Sequence, residues 1–168
     1  MSFASHLSGL HVQDIRNIRG TERSRLLDVM AGVYHAHWKC GTEGYHSQRA
    51  ARKHLKERLE TDRVATFVAL TPCGKFIGTA AVGTDDFYDG FCRSNGLDAC
   101  WVGRDLFTAP WARGMVQDGL KVWQHLLKAR LNWLDAHGHS AMAVFTEPAL
   151  WTFPRCTHGP VPWSRVAD

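Results

Sequence analysis

The stretch Asp105-Leu106-Phe107-Thr108-Ala109-Pro110-Trp111-Ala112-Arg113-Gly114 decides how this chain is read. Its first half suits a buried strand. Pro110 marks where that strand stops, because proline has no N–H to give to a ladder. An Arg-Gly turn follows. From about Gln117 to His137 the chain then reads as one long amphipathic helix. Leu120, Val122, Trp123, Leu126, Leu127, Leu131 and Leu134 cover a broad apolar arc suited to packing on a sheet, and Gly138 ends it. The first N–H groups of a helix have no partners within it, so this order predicts an anion site at the helix start.

Working back from that stretch, Ala99–Thr108 reads as one strand. Strict alternation puts Val102, Leu106 and Thr108 on one face with Arg104. It puts Trp101, Gly103, Asp105 and Phe107 on the other. Before it, residues 84–98 form a polar loop carrying Phe87, Tyr88 and Phe91. Val64–Leu70 and Phe76–Val82 are apolar and β-branched runs joined by Thr71-Pro72-Cys73-Gly74, which predicts a hairpin.

Two helices are predicted ahead of the hairpin. Leu26, Leu27, Met30, Val33 and Tyr34 recur at helical spacing from Thr21 to about Trp38. Ser47–Thr61 is the second, with a thin stripe of Ala50, Ala51, Leu55 and Leu59. Its remainder is basic (Arg49, Arg52, Lys53, Lys56, Arg58) and reads as a solvated face, with a patch for an acidic partner or phosphate as the alternative. His11–Ile18 is a candidate first strand, and Ala141–Phe145 a last one. The tail from about residue 148 carries Pro148, Pro154, Pro160 and Pro162 and is expected to be irregular. The order is therefore β, α, α, β, β, β, α, β: an α+β fold with a mixed central sheet and helices on both faces.

Composition narrows the functional classes. The chain has 168 residues, 45% hydrophobic and 21% charged, which predicts a single globular domain over 1–168. The formal net charge of +4 suits phosphorylated ligands. It does not argue for nucleic acid, since no aromatic residues interleave the basic run from Arg49 to Arg58. No apolar run is long enough to span a bilayer, and residues 1–20 lack the apolar core of an export signal, so a cytoplasmic protein is expected. Five cysteines (Cys40, Cys73, Cys92, Cys100, Cys156) are scattered and odd in number, as reduced thiols would be. His35 and His37 lie two apart on a helix and so point in different directions. No metal site is expected there.

These elements together resemble the GNAT superfamily of N-acyltransferases over roughly Val12–Thr146. Three places carry the resemblance. Residues 21–38 and 47–60 resemble the family's two early helices. Lys75-Phe76-Ile77-Gly78, after a turn, resembles its central hairpin. Leu106–Gly114 resembles the strand and turn that hold acyl-coenzyme A. The resemblance implies transfer of an acyl group, acetyl in the first instance, from a coenzyme A thioester to an amine-bearing acceptor, a small molecule or a protein. It also implies roles. Backbone groups of Phe107, Thr108 and Ala109 would pair with the pantetheine arm. Arg113, Gly114 and the following helix start would take the pyrophosphate, and an N–H near Thr108 would polarise the thioester oxygen. Asp105 or Glu147 would remove the amine's proton, Asp105 having ion pairing with Arg104 or another base as its alternative. His35, His37 and His46 are candidates for lining an acceptor pocket.

The chain also departs from the family's pattern. Its turn is of the type R/Q-x-x-G-x-G/A, yet Val116 and Asp118 stand at the two small positions, with Gly114 and Gly119 out of register. No tyrosine follows the last strand as general acid, where Cys156 or His158 could serve. A second reading is therefore a GNAT-like domain that binds a partner without catalysis. Its seven tryptophans, among them Trp111, Trp151 and Trp163, suit such an interface and permit a homodimer. A third reading, the acyl-homoserine-lactone synthase architecture, rests on Trp101-Val102-Gly103-Arg104 with Phe107 and on His158-Gly159-Pro160.

Overall fold

The two runs read as a hairpin form the centre of the sheet. In the computed structural model, which describes residues 8–38, 45–84, 93–94, 101–139, 141–144 and 161–162, every residue of Val64–Leu70 (β2) and Phe76–Gly83 (β3) is buried. Continuous burial of this kind needs cover on both faces. His11–Asp14 (β1) lies outside β2, and Trp101–Thr108 (β4) lies outside β3. All these neighbours are antiparallel. Ala141–Val144 (β7) runs parallel to β4, and Val161–Pro162 (β8) closes the order β1-β2-β3-β4-β7-β8. The expected α+β fold with a mixed sheet is what forms. The tail differs from expectation in one respect, since residues 161–162 add a short antiparallel edge to β7. The first strand is also shorter than expected, because Ile15–Asn17 turns into a 3₁₀ helix.

Two helices cover one face. Gly20–Trp38 (α1) and Gln48–Leu59 (α2) bury Leu26, Met30, Tyr34 and Leu55 against Val68, Leu70 and Phe76. Ser47 caps α2, its Oγ accepting the Ala50 N–H at 3.1 Å. Val122–Ala136 (α3) covers the other face and sets Leu126 and Leu134 against Phe67, Ile77 and Val82.

The segment before α3 corrects the sequence reading. The long helix does not begin near Gln117. Val116–Gln117 (β5) and Leu120–Lys121 (β6) pair as a small hairpin, and the helix starts only at Val122. Asp118 and Gly119 form the turn at φ 51° and 78°. A two-residue hairpin turn of this type needs left-handed backbone at both positions, and Asp-Gly is among its preferred pairs. Tertiary contacts hold the hairpin in place. The Leu10 N–H donates to Gln117 Oε1 at 2.5 Å, and the Gln117 carbonyl lies 2.9 Å from His125 Nε2.

β4 brings a second correction. Its register against β3 passes from Thr79↔Phe107 to Ala81↔Arg104, so three steps of β4 oppose two of β3. The extra residue is a β-bulge, and Asp105 sits in it at φ 54°. Residues beyond a bulge change faces. Trp101 and Gly103 lie toward α3, as their contacts with Trp133 and Arg130 show. Phe107 instead meets His37 of α1 and Phe76. Strict alternation had put all three on one side.

Candidate active site

The free end of β4 opens into a cleft of about 480 Å³. Leu106, Phe107 and Thr108 form one wall, and His37 and Trp38 at the end of α1 face them. Arg113, Lys121 and Trp123 line the remainder. Parallel pairing to β7 covers β4 only at Trp101–Gly103. Among the described residues, the outer edge of β4 beyond Gly103 has no strand partner. Thr108 Oγ1 is buried with no hydrogen-bond partner, which is costly unless a ligand satisfies it. Two cations, Arg113 and Lys121, border the cleft next to the start of α3, whose first turn adds the positive end of a helix dipole.

Of the residues singled out from the sequence, Phe107, Thr108 and Arg113 line this cleft and His37 joins them. Ala109 does not. It is buried, and its N–H already donates to the Ile77 carbonyl at 2.7 Å. Gly114 is exposed in the turn, outside the lining. His35 is used elsewhere, its Nδ1 lying 2.9 Å from the Tyr45 carbonyl. Glu147, Cys156 and His158 lie outside the described residues, as do Cys40, Cys92, Cys100, Trp151, Trp163, Phe87, Tyr88 and Phe91. Cys73 is exposed and unbridged. Among the described residues no cluster of His, Cys, Asp or Glu could hold a metal ion, and no helix is long and apolar enough to cross a membrane.

Sequence reasoning missed Lys121, Trp38 and Trp123. Reading Asp118-Gly119 as a hairpin turn would have placed Lys121 in a strand rather than inside a helix. The hairpin also changes what kind of anion site the turn can offer. The amides of Ala112, Arg113 and Met115 donate to carbonyls within the turn, and the Lys121 amide donates to Gln124 Oε1 at 2.8 Å. The side chains of Arg113 and Lys121 line the cleft beside them.

Asp105 does not line the cleft. Its carboxylate is nearly buried and pairs with Arg58 of α2, itself 5% exposed. The basic face expected on α2 therefore loses one member to the interior. Burial works against the charge on Arg58, but the carboxylate of Asp105 and the Tyr34 and Tyr45 hydroxyls outweigh it and raise its pKa. Both tyrosine hydroxyls are buried without a partner, and desolvation, with Asp105 beside them, raises their pKa values. Of the partners anticipated for Asp105, Arg104 or another base, the structure supplies the second, Arg58 of α2.

No protein-family model matches the chain, and no curated protein is significantly similar to it. Solved structures are similar. AAC(6')-Iy in complex with the bisubstrate analogue CoA-S-monomethyl-acetylneamine superposes with a TM-score of 0.58 at 24% identity, over 84% of this chain and 82% of that one. A predicted acetyltransferase from Clostridium acetobutylicum with acetyl-CoA gives 0.54 at 14%, over 84% and 82%. An acetyltransferase of the GNAT family from Staphylococcus aureus gives 0.53 at 9%, over 87% and 82%. At these identities the likeness establishes the fold: the chain is built as the GNAT acetyltransferases are.

Proposed function

We propose that this chain is an N-acyltransferase that moves an acyl group, acetyl in the first instance, from a coenzyme A thioester to an amine-bearing acceptor. The observation that carries the reading is the cleft at the end of β4. On a GNAT fold, it combines an open strand edge, an unpartnered Thr108 hydroxyl and two cations, Arg113 and Lys121. These residues fit coenzyme A. Arg113 and Lys121 would hold its phosphates, and Phe107 and Thr108 would flank its arm.

The thioester supplies an activated acyl carbon. In the transfer the amine nitrogen bonds to that carbon, the C–S bond breaks, and coenzyme A leaves as a thiolate that takes up a proton. The chain's own groups orient and neutralise. Thr108 offers a hydroxyl donor where charge develops on the acyl oxygen. His37, in the cleft wall against Phe107, and Glu147 are the candidates to accept the amine's proton. The acceptor is an amine, small molecule or protein.

Calorimetric titration with acetyl-CoA and with free coenzyme A tests the reading. Micromolar binding of both is expected. Arg113→Ala and Lys121→Ala should each weaken it by about 1–3 kcal/mol, the range for a lost charge-assisted hydrogen bond. One observation favours a second reading: the hairpin puts Asp118 and spent amides where a phosphate loop would stand. If neither ligand binds, the chain is a GNAT-fold binding domain without this cofactor.

A further inference from the structure

Asp105 adopts a left-handed backbone conformation that side chains other than glycine enter seldom, Asp and Asn being among the exceptions. The nearest glycine, Gly103, has ordinary backbone, and what its bare Cα admits is the Arg130 guanidinium. A bond from outside the strand accompanies the conformation. The Asp105 carboxylate pairs with Arg58 of α2, with side-chain exposures of 12% and 6%. The Arg58 guanidinium in turn lies 5.9 and 5.8 Å from the ring centres of Tyr34 and Tyr45.

The bulge has a consequence for the cleft. It turns Phe107 onto His37, with ring centres 4.8 Å apart, and sets Leu106 outward at 45% exposed. Both line the cleft. In a regular strand Phe107 would follow Trp101 and Gly103 toward α3, and the cleft would lose its wall. We infer that the buried Arg58–Asp105 pair is a latch that holds the β4 bulge and so shapes the cleft, making Asp105 and Arg58 positioning residues rather than parts of the proton-transfer machinery. This rests on the acyl-coenzyme A reading for one of its two readouts and not for the other.

The test compares a variant that can keep the bond to Arg58 with variants that cannot. Asp105→Gly and Asp105→Asn both tolerate left-handed backbone, but only Asn can still accept a hydrogen bond from Arg58. Arg58→Met/Asp105→Val leaves no unpaired charge, and its β-branched residue disfavours that conformation. The first readout is the affinity for free coenzyme A, which needs no acceptor. The second is the NMR shift of the His37 ring protons, which the Phe107 ring current displaces and which needs no ligand.

In the folded double variant, affinity should fall at least about tenfold and the His37 shift should collapse toward its free value. Asn should stay within about threefold and keep the shift, whereas Gly, which cannot pair with Arg58, should lose both. Wild-type affinity and an unchanged His37 shift in the double variant would overturn the latch. Wild-type affinity and an unchanged shift in folded Asp105→Gly would overturn it too. If the wild type binds no coenzyme A, the acyl-transfer reading falls, and the His37 shift still decides the latch. If the double variant does not fold, Arg58→Gln takes its place, and an unchanged shift in it counts against the latch. With an acceptor in hand, Asp105→Asn separates the roles further: a base would lose kcat, whereas a latch residue keeps it.

Discussion

Two arginines are buried on opposite faces of the same sheet, and they are handled differently. Arg58 of α2 is 5% exposed and ion-paired to Asp105. Arg130 of α3 is 2% exposed, and its Nε and Nη2 have no hydrogen-bond partner. The pKa values follow the partners. Asp105 raises that of Arg58 in spite of burial, whereas burial pushes Arg130 down to about 10, against the attraction of the same carboxylate. One carboxylate serves two guanidiniums and bonds only one. Burial of a charge is tolerable where geometry supplies a counter-charge and costly where it does not. The α2 face therefore holds a bonded ion pair, whereas the α3 face holds a buried guanidinium with two unbonded nitrogens.

The largest effect that would break this contrast is on the paired side. Arg58→Met leaves Asp105 buried and alone, and should cost about 3–5 kcal/mol of unfolding free energy by denaturant titration. A loss under about 1 kcal/mol would show that Asp105 finds another cation and that the faces are alike. On the other face, Gly103→Ala should cost about 1–3 kcal/mol, because a Cβ there would stand 2.5 Å from Arg130 Nη1 and 3.1 Å from Met142 Sδ. In an Arg130→Met background the same substitution should cost less, and equal costs would show that Met142 is the real obstacle. Arg130→Met alone has the opposite sign to Arg58→Met. It should leave stability unchanged or raise it by about 1 kcal/mol, as the shift in urea midpoint would report.

The smallest effect is a pH dependence on the α2 face. Burial, followed by the nearby charge of Arg58, lowers the pKa of His54 below its ordinary 6.5. Unfolded chains then bind a proton at this site before folded ones do. The contribution of neutral His54 is complete above pH 6.5 and is lost as pH falls through the lower, folded value. Thermal unfolding scanned downward from pH 7 should show a shallower loss in His54→Gln than in the wild type. Parallel curves would mean that other groups govern acid sensitivity.

Much of this architecture was legible in the residues. The β2–β3 hairpin formed where Thr71-Pro72-Cys73-Gly74 separates two apolar runs, and α1 and α2 ended within two residues of where their stripes predicted. Both buried arginines were readable as well, though by position and not by type. Arg58 stands seven residues after Ala51 and three after Leu55, on the buried stripe of α2. Arg130 stands midway between Leu126 and Leu134 on that of α3. Their charge disguised them. Asp118-Gly119 was overlooked for another reason: the apolar arc of α3 begins with Leu120 and Val122, and a helical period was extended over a turn whose own signal was stronger.

For the candidate site the balance is different. Phe107, Thr108 and Arg113 followed from one continuous stretch, because a strand followed by a turn presents neighbours in sequence to the same cleft. Asp105 did not, since alternation predicts its face only while the strand stays regular.

The sequence by itself determined the order of the main elements, the apolar stripes and the hairpin at the centre of the sheet, all of which are set by interactions between residues a few positions apart. Only the tertiary structure decided that Asp105 bulges out to Arg58, 47 residues away, that Phe107 turns to the cleft as a result, and that Gln117 is drawn to the backbone of Leu10, 107 residues away, at the head of a hairpin instead of a helix. The physical reason is that local pattern does not specify contacts between residues far apart in sequence. The deciding partners were supplied by distant parts of the chain once the helices had packed on the sheet.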